Sequence, residues 1–483
     1  MKKPEAGAGL PRLDPRRWWI LAIVAAAQFV YVVDAFVVNV ALPSIRTDLA
    51  ATTGETQGII VCYLIAFATL VVTGGRLGDI VGAKRVFLTG LLGFTAASLW
   101  CGLTHSGGEL VAARTVQGAM AALMIPQVLA TIHRVFEGEE RGRAIGIYGT
   151  ALGLGAAVGF GLGGWIVAFN VMGIGWRSIF FVNVPVGAVL AVAALRLMPP
   201  APRKAGARLD VAGAGILFLS LLALLGPIVV GPDLGWPLWL GWVLAGGGVL
   251  LCVFVKVERR VEARGGLPLV PVELLADRPA MTGFLAVLCF TFANLAFYLV
   301  LTFYMQLGLG YSPLQSGSVV LPLTLTFAIV SRKAGPRGQR RGPRAIIEGC
   351  CVQLLGIAVL AVGITSRGGS DPVVLAGLLV VFGFGQAMAM APLYGLALSR
   401  VPHAHAGSGS GVLSTIQQIG NGSGAAVIGA LYFTVRGFYS DYGAFLLCLA
   451  VLAGALLLTV GLLCVLMRSQ KARGPMAVRA VSA

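Results

Sequence analysis

Two ionisable side chains, those of Asp34 and Arg114, lie well inside long apolar stretches of the 483-residue chain. Asp34 precedes the end of the first stretch, Leu42, and Arg114 follows Glu109 at the start of the fourth. At about 1.5 Å per helical residue, the two lie roughly 12 and 8 Å below the same membrane surface. A buried carboxyl group tends to take up a proton, and a nearby guanidinium opposes this, so the pair could switch between ion-paired and protonated states. The alternative is that Arg114 reaches the outer interface and Asp34 has only a packing role.

The elements that must position this pair are membrane-spanning helices. Apolar residues make up 57% of the chain and charged residues 11%, which excludes a soluble enzyme, a disordered chain and a small secreted disulfide scaffold. A spanning helix needs about 20 apolar residues. The chain is therefore predicted to be an all-α polytopic membrane protein, with fourteen spans at roughly 18–42, 56–75, 86–104, 109–131, 144–167, 177–197, 210–231, 236–256, 280–303, 313–331, 345–365, 372–396, 408–432 and 444–467.

The basic residues indicate the orientation of these spans. Of the 36 Lys and Arg residues, 31 fall on one side of the predicted topology and four on the other. By the positive-inside rule, both termini are cytoplasmic. The net charge of +17 is then a topological signal and a contact for the lipid bilayer, not a nucleic-acid surface. Arg-rich, Lys-poor usage with abundant Ala and Gly suggests a bacterial protein, so we expect the bacterial inner (cytoplasmic) membrane.

An internal repeat divides the chain. Gly75 and Gly335, like Gly82 and Gly342, are 260 residues apart, so spans nine to fourteen repeat spans one to six. Spans seven and eight are an insertion. Two related six-helix bundles are the architecture of a rocking transporter. The predicted segments are a cytoplasmic tail 1–17, an N-terminal bundle 18–200, two inserted helices 201–260, a cytoplasmic linker 261–278, a C-terminal bundle 279–467 and a cytoplasmic tail 468–483.

Several motifs together resemble a known family. They are the run 75–85 after the second span, 34–43 in the first, 114–118 in the fourth, 155–164 in the fifth, 176–177 with 183–185 in the sixth, and 407–411 with 418–420 in the thirteenth. This set resembles the major facilitator superfamily, and specifically its fourteen-helix drug:proton antiporter branch. The resemblance implies the major facilitator fold and supports proton coupling at Asp34 and Arg114. Phe36 stands where that branch usually has Thr or Ser, and Phe160 stands where it usually has Pro.

A gate and a sliding contact are predicted from two of these motifs. A carboxylate at a cytoplasmic helix end can bind the positive N-terminus of a helix in the other half and hold that side shut. The gating residues would be Gly75, Arg76, Gly78, Asp79, Gly82, Lys84 and Arg85. The second copy has Gln339 in place of the acid. Small residues let helices pack closely and slide, and the antiporter glycine motif comprises Gly155, Gly159, Gly163 and Gly164.

Polar and aromatic side chains inside the spans are candidates for a substrate cavity. As a set facing an apolar cavity they suit a bulky amphipathic ligand, although each alone could be an interhelical hydrogen bond. They are Tyr31, Asn39, Gln117, Asn294, Tyr298, Tyr304, Gln306, Gln386, Gln418 and Asn421, with Asn183, Tyr394 and Gln417 as further candidates. The second half offers no acid at these positions, which predicts neutral, monocationic or weakly anionic cargo.

The leading functional hypothesis is a transporter that exports hydrophobic or amphipathic drugs or antibiotics in exchange for protons by alternating access. A lipid or lipid-linked metabolite transporter of the same fold and a non-transporting sensor or scaffold are the alternatives. The chain is not expected to be an enzyme, since it has no G-x-x-x-x-G-K-S/T loop and no Cys with zinc-ligand spacing. We expect no metal, no cofactor other than the proton gradient, no nucleic-acid partner, and a monomer.

Overall fold

The computed structural model describes residues 15–169, 173–200, 210–264, 268–269, 277–365, 371–399 and 406–472, and these residues contain no strand. Most of the predicted tails and linker lie outside them. The long helices are α1 Arg17–Asp48, α2 Thr53–Val81, α3 Ala83–Leu103, α4 Gly107–Val135, α5 Gly138–Phe169, α6 Gly175–Leu197, α7 Val211–Leu234, α8 Trp239–Ala263, α9 Arg278–Phe303, α10 Pro313–Arg341, α11 Pro343–Gly363, α12 Pro372–Leu398, α13 Ala406–Arg436 and α14 Asp441–Ala472.

These helices correspond one to one with the predicted spans. Twelve are long and apolar enough to cross a membrane by length and composition, and α5 and α13 are the other two. The α6 segment combines a 3₁₀ turn with two helical pieces, and α9 continues into a π-helical turn, Tyr304–Gly308. The described chain thus has the major facilitator fold, and the number of long helices fits the fourteen spans.

Two helix ends differ from the prediction. The first helix continues past Pro43 to Asp48, where the Thr47 hydroxyl donates to the Pro43 carbonyl at 3.0 Å. The gating motif, predicted as a loop from Gly75, is helical to Val81, and the chain turns only at Gly82. At Pro43 the helix loses one backbone hydrogen bond, because proline has no N–H, but the turns after it can still be helical. At Gly75 the apolar run ends before the helix does, because polar residues form its last turns.

Local sequence explains most helix starts. Thr52 and Glu55 form a capping box at α2, and the Ser106 hydroxyl accepts from the Glu109 N–H at α4. Side chains of Asp277 and Asp371 cap α9 and α12 in the same way.

The turns into α3 and α11 require glycine. Gly82 has φ +104° and Gly342 has φ +58°, a region that other residues rarely adopt. The two turns occupy equivalent positions in the two halves, as the 260-residue repeat predicts.

The packing also repeats. In the first half α1 packs on α5, and α4 packs on α2 and α3; eight helices later α9 packs on α13, and α12 packs on α10 and α11. The halves meet along two seams, α2 against α13 and α5 against α10. The inserted helices α7 and α8 pack on each other, and α7 lies against both α2 and α13. The architecture is therefore two six-helix bundles with an inserted hairpin on one seam.

Candidate functional site

An ion pair between Asp34 and Arg114 lies at the centre of the N-terminal bundle. Helices α1 and α4 bring Arg114 Nη1 within 2.6 Å of Asp34 Oδ2. Asp34 is 0% exposed and Arg114 is 1% exposed. Two charges removed from water to this extent require each other, because either one left alone would carry an uncompensated cost of several kcal/mol. Their similar depth had been predicted from helix length, and the structure joins them directly.

Uncharged donors complete the surroundings of the carboxylate. Gln117 Nε2 donates to Asp34 Oδ1 at 2.9 Å, and Asn183 Nδ2, from α6, donates to the same oxygen at 3.0 Å. Gln117 also donates to the Ser98 hydroxyl of α3 at 2.8 Å. Helices α4 and α6 therefore satisfy both oxygens of the buried acid on α1, and α3 reaches the same network through Ser98.

An aromatic ring lies under the guanidinium. Arg114 Cζ lies 4.0 Å from the centroid of the Tyr63 ring on α2 and 5.8 Å from that of Phe180. Arg114 also contacts Gln117 Oε1 and donates through Nε to the Ile59 carbonyl at 3.4 Å. A cation over an aromatic face gains from the negative potential of the ring, most of all where water is absent.

Sequence reasoning did not identify Ser98 or Tyr63, and it grouped Gln117 and Asn183 with the cavity. The structure places both amides at Asp34. The spacing from Arg114 to Gln117 is i to i+3, which puts both on one helix face and could have signalled the shared site. For Ser98 and Tyr63 no comparable local signal exists, since each reaches the site from a separate helix.

Two cavity candidates join the bundles. Gln418 Nε2, on α13, donates to the Tyr31 hydroxyl on α1 at 3.1 Å, and Asn421 Nδ2 donates to Gln418 Oε1 at 2.8 Å. Gln306 Nε2 donates to the Val40 carbonyl at 2.9 Å. The bonds to Tyr31 and to the Val40 carbonyl cross between the halves, so any rocking of one half on the other must change them.

The other cavity candidates bond within one half. Gln353 Nε2 donates to Asn294 Oδ1 at 2.6 Å, and the Tyr298 hydroxyl donates to Gln386 Oε1 at 2.7 Å. Tyr304 stacks on Phe445 with centroids 4.3 Å apart. Asn39 Nδ2 donates to the Ala35 carbonyl of its own helix at 2.9 Å.

The two aromatic departures from the family pattern contact each other. The Phe36 and Phe160 ring centroids are 5.2 Å apart, and Phe160 stacks on Tyr298 of α9 at 4.9 Å. Tyr298 also meets Phe36 edge-on at 6.0 Å. These three rings form an aromatic contact between the halves at the level of the glycine motif.

The four motif glycines lie at close contacts of α5 with two other helices, α1 and α10. A side chain at Gly155, Gly159 or Gly163 would press on α1, and one at Gly164 would collide with the backbone of Pro313 on α10. Helix α5 therefore packs closely on α1 of its own bundle along one face and on α10 of the other half along the neighbouring face. Close approach of this kind needs residues without a side chain.

Comparison with known proteins shows the family. The family described as Major Facilitator Superfamily matches residues 24–425. The chain belongs to the major facilitator superfamily. The membership agrees with the repeated packing and with the motifs described above.

Curated relatives within the superfamily match nearly the whole chain. The probable actinorhodin transporter of Streptomyces coelicolor is 36% identical over 90% of this chain and 75% of its own. The puromycin resistance protein pur8 of Streptomyces alboniger is 35% identical over 97% and 94%. The cephamycin export protein CmcT of Amycolatopsis lactamdurans is 36% identical over 84% and 83%.

The motif at the C-terminal end of α2, which resembles the superfamily signature, makes contacts of several kinds. Lys84 Nζ donates to the carbonyls of Leu195 at 2.8 Å and Met198 at 2.6 Å, and so binds the end of α6. Arg85 is exposed. Gly78 lies against Gln127, which donates to the Gly74 carbonyl, and Gly75 lies near Pro126. The lysine and these glycines therefore stabilise the N-terminal bundle itself.

Arg76 of the motif faces the inserted hairpin. Its Nη2 donates to the Pro268 carbonyl of the linker, and the charges of Glu258 and Asp210 lie near it. Glu258 is 0% exposed near the end of α8, beyond the predicted eighth span. Asp79 is exposed. Helix α13, whose N-terminus is the expected partner of Asp79, begins at Ala406, but the side chains around Gly407 and that of Gln339 lie outside the described part of the structure.

Proposed function

We propose that this superfamily member exports hydrophobic or amphipathic antibiotics or drugs in exchange for protons, with Asp34 as the proton carrier. The observation that carries the proposal is the Asp34–Arg114 pair, buried at 2.6 Å in the bundle core. Such a pair has two stable states. Either the carboxylate binds the guanidinium, or a proton neutralises the carboxyl group and the arginine is held by its other partners.

Alternating access would connect these states to transport. The bonds from Gln418 to Tyr31 and from Gln306 to Val40 join the halves and would break or re-form as the bundles rock. The buried pair belongs to one rigid half, so water would reach it from one membrane side at a time. The proton gradient would supply the energy, and no cofactor is needed.

The relatives support the class of cargo. They are named for the transport of actinorhodin, resistance to puromycin and export of cephamycin, and each covers most of this chain. Among the described residues, Asp34 and Glu258 are the two acids whose side chains are buried, and Asp34 is assigned to the proton. Since Glu258 lies near the cytoplasmic end of α8, we propose neutral, monocationic or weakly anionic cargo, and poor export of dications.

The distribution of the basic residues supports a placement with both termini in the cytoplasm. We further propose that the protein is a monomer in the bacterial inner membrane. For the gate, we propose that Asp79 binds the N-terminus of α13 when the cytoplasmic side closes. An acid at a helix N-terminus is favoured by the helix dipole.

The test is exchange in proteoliposomes with an imposed pH gradient. Puromycin, a lipophilic monocation such as rhodamine 6G, and a dication such as methyl viologen are loaded in turn, and proton movement is recorded with a pH-sensitive dye. We expect gradient-driven movement of the first two and little of the third. Movement of fluorescent phospholipid with none of puromycin or rhodamine 6G would favour a lipid transporter instead.

A further inference from the structure

A chain of contacts leads from the cavity candidate Tyr31 to the buried ion pair. The Tyr31 ring on α1 stacks on the Tyr63 ring on α2 with centroids 6.4 Å apart and planes at 23°. On Tyr63 lies the guanidinium of Arg114, whose Cζ is 4.0 Å from the ring centroid. Arg114 in turn binds Asp34 at 2.6 Å. Only one aromatic ring therefore separates the cavity tyrosine from the arginine of the proton site.

The other end of this chain belongs to the second half of the molecule. The Tyr31 hydroxyl accepts a hydrogen bond from Gln418 of α13, and Gln418 accepts one from Asn421. Tyr31 also packs on Phe67 at 5.2 Å and is half-buried. A ligand between the halves that competes for the hydrogen bond between Tyr31 and Gln418 would move Tyr31, the first residue in this series of contacts.

Tyr63 has the properties of a positioning residue. It is 1% exposed, and its hydroxyl has no hydrogen-bond partner among the described residues. The Tyr63 side chain is therefore held in position by the contacts of its ring and not by a hydrogen bond of its hydroxyl. A phenylalanine at this position would leave no buried oxygen without a hydrogen-bond partner. Its ring would offer the same negatively polarised face to the Arg114 guanidinium as the tyrosine ring does.

We infer that Tyr63 couples cargo binding to proton release by holding Arg114 whenever Asp34 is protonated. This inference rests on the proposed function. A protonated carboxyl group attracts the guanidinium less, so the ring of Tyr63 becomes its main support. Cargo that displaces Gln418 from Tyr31 alters the Tyr31–Tyr63 stack and favours return of Arg114 to Asp34. The carboxyl proton then leaves for the cytoplasmic water, and the carboxylate pairs with Arg114 again.

The ionisable groups around the pair are few. Besides Arg114, the described groups that act on Asp34 or its partners are Tyr63 on α2, Cys101 on α3 and Tyr31 on α1, with Tyr148 of α5 beside Tyr31. The tyrosines and the cysteine are uncharged at neutral pH. The exchange of one proton at Asp34 is therefore the charge change to which Tyr63 would respond.

The experiment measures cargo binding and proton release on the same purified protein. Rhodamine 6G is added in weak buffer, binding is followed by fluorescence polarisation, and released protons are followed with a pH-sensitive dye. The wild type should release close to one proton for each rhodamine bound. Tyr63→Leu should bind rhodamine within about threefold of wild type but release at least about fivefold fewer protons, in the range of ordinary coupling factors.

Three further variants separate positioning from packing. Tyr63→Phe keeps the ring and should release protons as wild type does. Phe87→Leu removes a fully buried ring of α3 in a separate core cluster and should also leave release unchanged. Gln418→Leu changes a residue of the other half that bonds to Tyr31, and it should lower release as Tyr63→Leu does. It keeps the inference testable if Tyr63→Leu fails to fold.

The outcomes are distinct. Wild-type protein that binds rhodamine without releasing protons would overturn the proposed antiport itself. Wild-type release that persists in Tyr63→Leu, or persists in Gln418→Leu, would overturn the role of Tyr63 and leave antiport standing. Equal loss in Tyr63→Leu and Phe87→Leu would show a packing effect and also reject the coupling role.

Discussion

The two halves of the molecule place different chemistry at equivalent positions. Asp34 of α1 and Asn294 of α9 are 260 residues apart, the offset of the internal repeat, and both are buried. Asp34 pairs with a guanidinium and accepts from two amides. Asn294 is bound by the amide of Gln353 at 2.6 Å and donates to the Phe290 carbonyl.

The difference indicates that, at this position, only the first half has a side chain that can take up and release a proton. An amide cannot change its charge in the accessible pH range, whereas a carboxyl group can. The same buried position is thus a candidate proton site in one half and a neutral interhelical hydrogen bond in the other. The asymmetry recurs at the cytoplasmic turns, where Asp79 in the first half corresponds to Gln339 in the second.

Removing the asymmetry at Asp34 should have the largest effect. Asp34→Asn removes the carboxyl group that could carry the proton and leaves the buried Arg114 charged, so gradient-driven export of puromycin from proteoliposomes should fall to the level of protein-free liposomes. Exchange of internal for external puromycin without a gradient should continue, because the amide keeps the packing. Gradient-driven export at the wild-type rate would refute the assignment of Asp34.

Removing the partner of the acid should cost stability. Arg114→Gln leaves a buried carboxylate without its cation, at a cost of about 3–5 kcal/mol. We expect a lower midpoint of thermal unfolding in detergent at pH 8. The double variant with Asp34→Asn should recover most of the loss, because neither charge then remains; a double variant as unstable as the single one would contradict the pairing.

Placing an acid in the second half sharpens the comparison. Asn294→Asp introduces a carboxylate where the described partners, Gln353 and the Phe290 carbonyl, are uncharged, and a charge at such depth costs about 2.5–3.5 kcal/mol. Stability should therefore be reduced at pH 8 and should rise towards pH 5, since protonation removes the charge. Asn294→Ser, which cannot titrate, serves as the control, and an equal pH dependence in both variants would count against this explanation.

The cytoplasmic turns allow a test of the gate. Asp79→Asn copies the uncharged side chain of the second half and removes the attraction to the N-terminus of α13 proposed above, for which about 0.3–1 kcal/mol is typical. The inward-open population should rise by a few fold, measured as faster thiol labelling of a cysteine introduced at Gly407. Glu348→Gln, which removes the cytoplasmic acid paired with Arg341, should leave the rate unchanged. Identical labelling in Asp79→Asn and wild type would remove Asp79 from the gate.

The amide pair of the second half should matter least. Gln353→Leu removes its hydrogen bond to Asn294, and bonds of this kind between membrane helices contribute about 0.6 kcal/mol on average. A small fall in the thermal midpoint is expected, with transport unchanged. Gln117→Leu, which removes a donor to the charged Asp34, should cost more, and a larger loss from Gln353→Leu would reverse the comparison.

The sequence by itself determined the all-helical class, the order of the helices, the repeat, and the similar depth of Asp34 and Arg114, and its count of fourteen spans fits the long helices of the described chain. These follow from hydropathy, loop charge and the 1.5 Å rise of a helix, all of which are properties of short stretches. It did not determine the extent of the helices at Pro43 and Gly75, where polar turns continue a helix beyond its apolar run.

Only the tertiary structure decided which side chains meet. Gln117 and Asn183 come from two helices and donate to one carboxylate, and Ser98 of a third helix accepts from Gln117. Tyr63 of a fourth helix supplies the ring beneath Arg114. Helical periodicity defines the faces of one helix, but the rotation and crossing of neighbouring helices decide what each face touches. For that reason Gln117, a cavity candidate by its polarity, lies in the proton site, and Gln418 on α13 reaches Tyr31 across the seam.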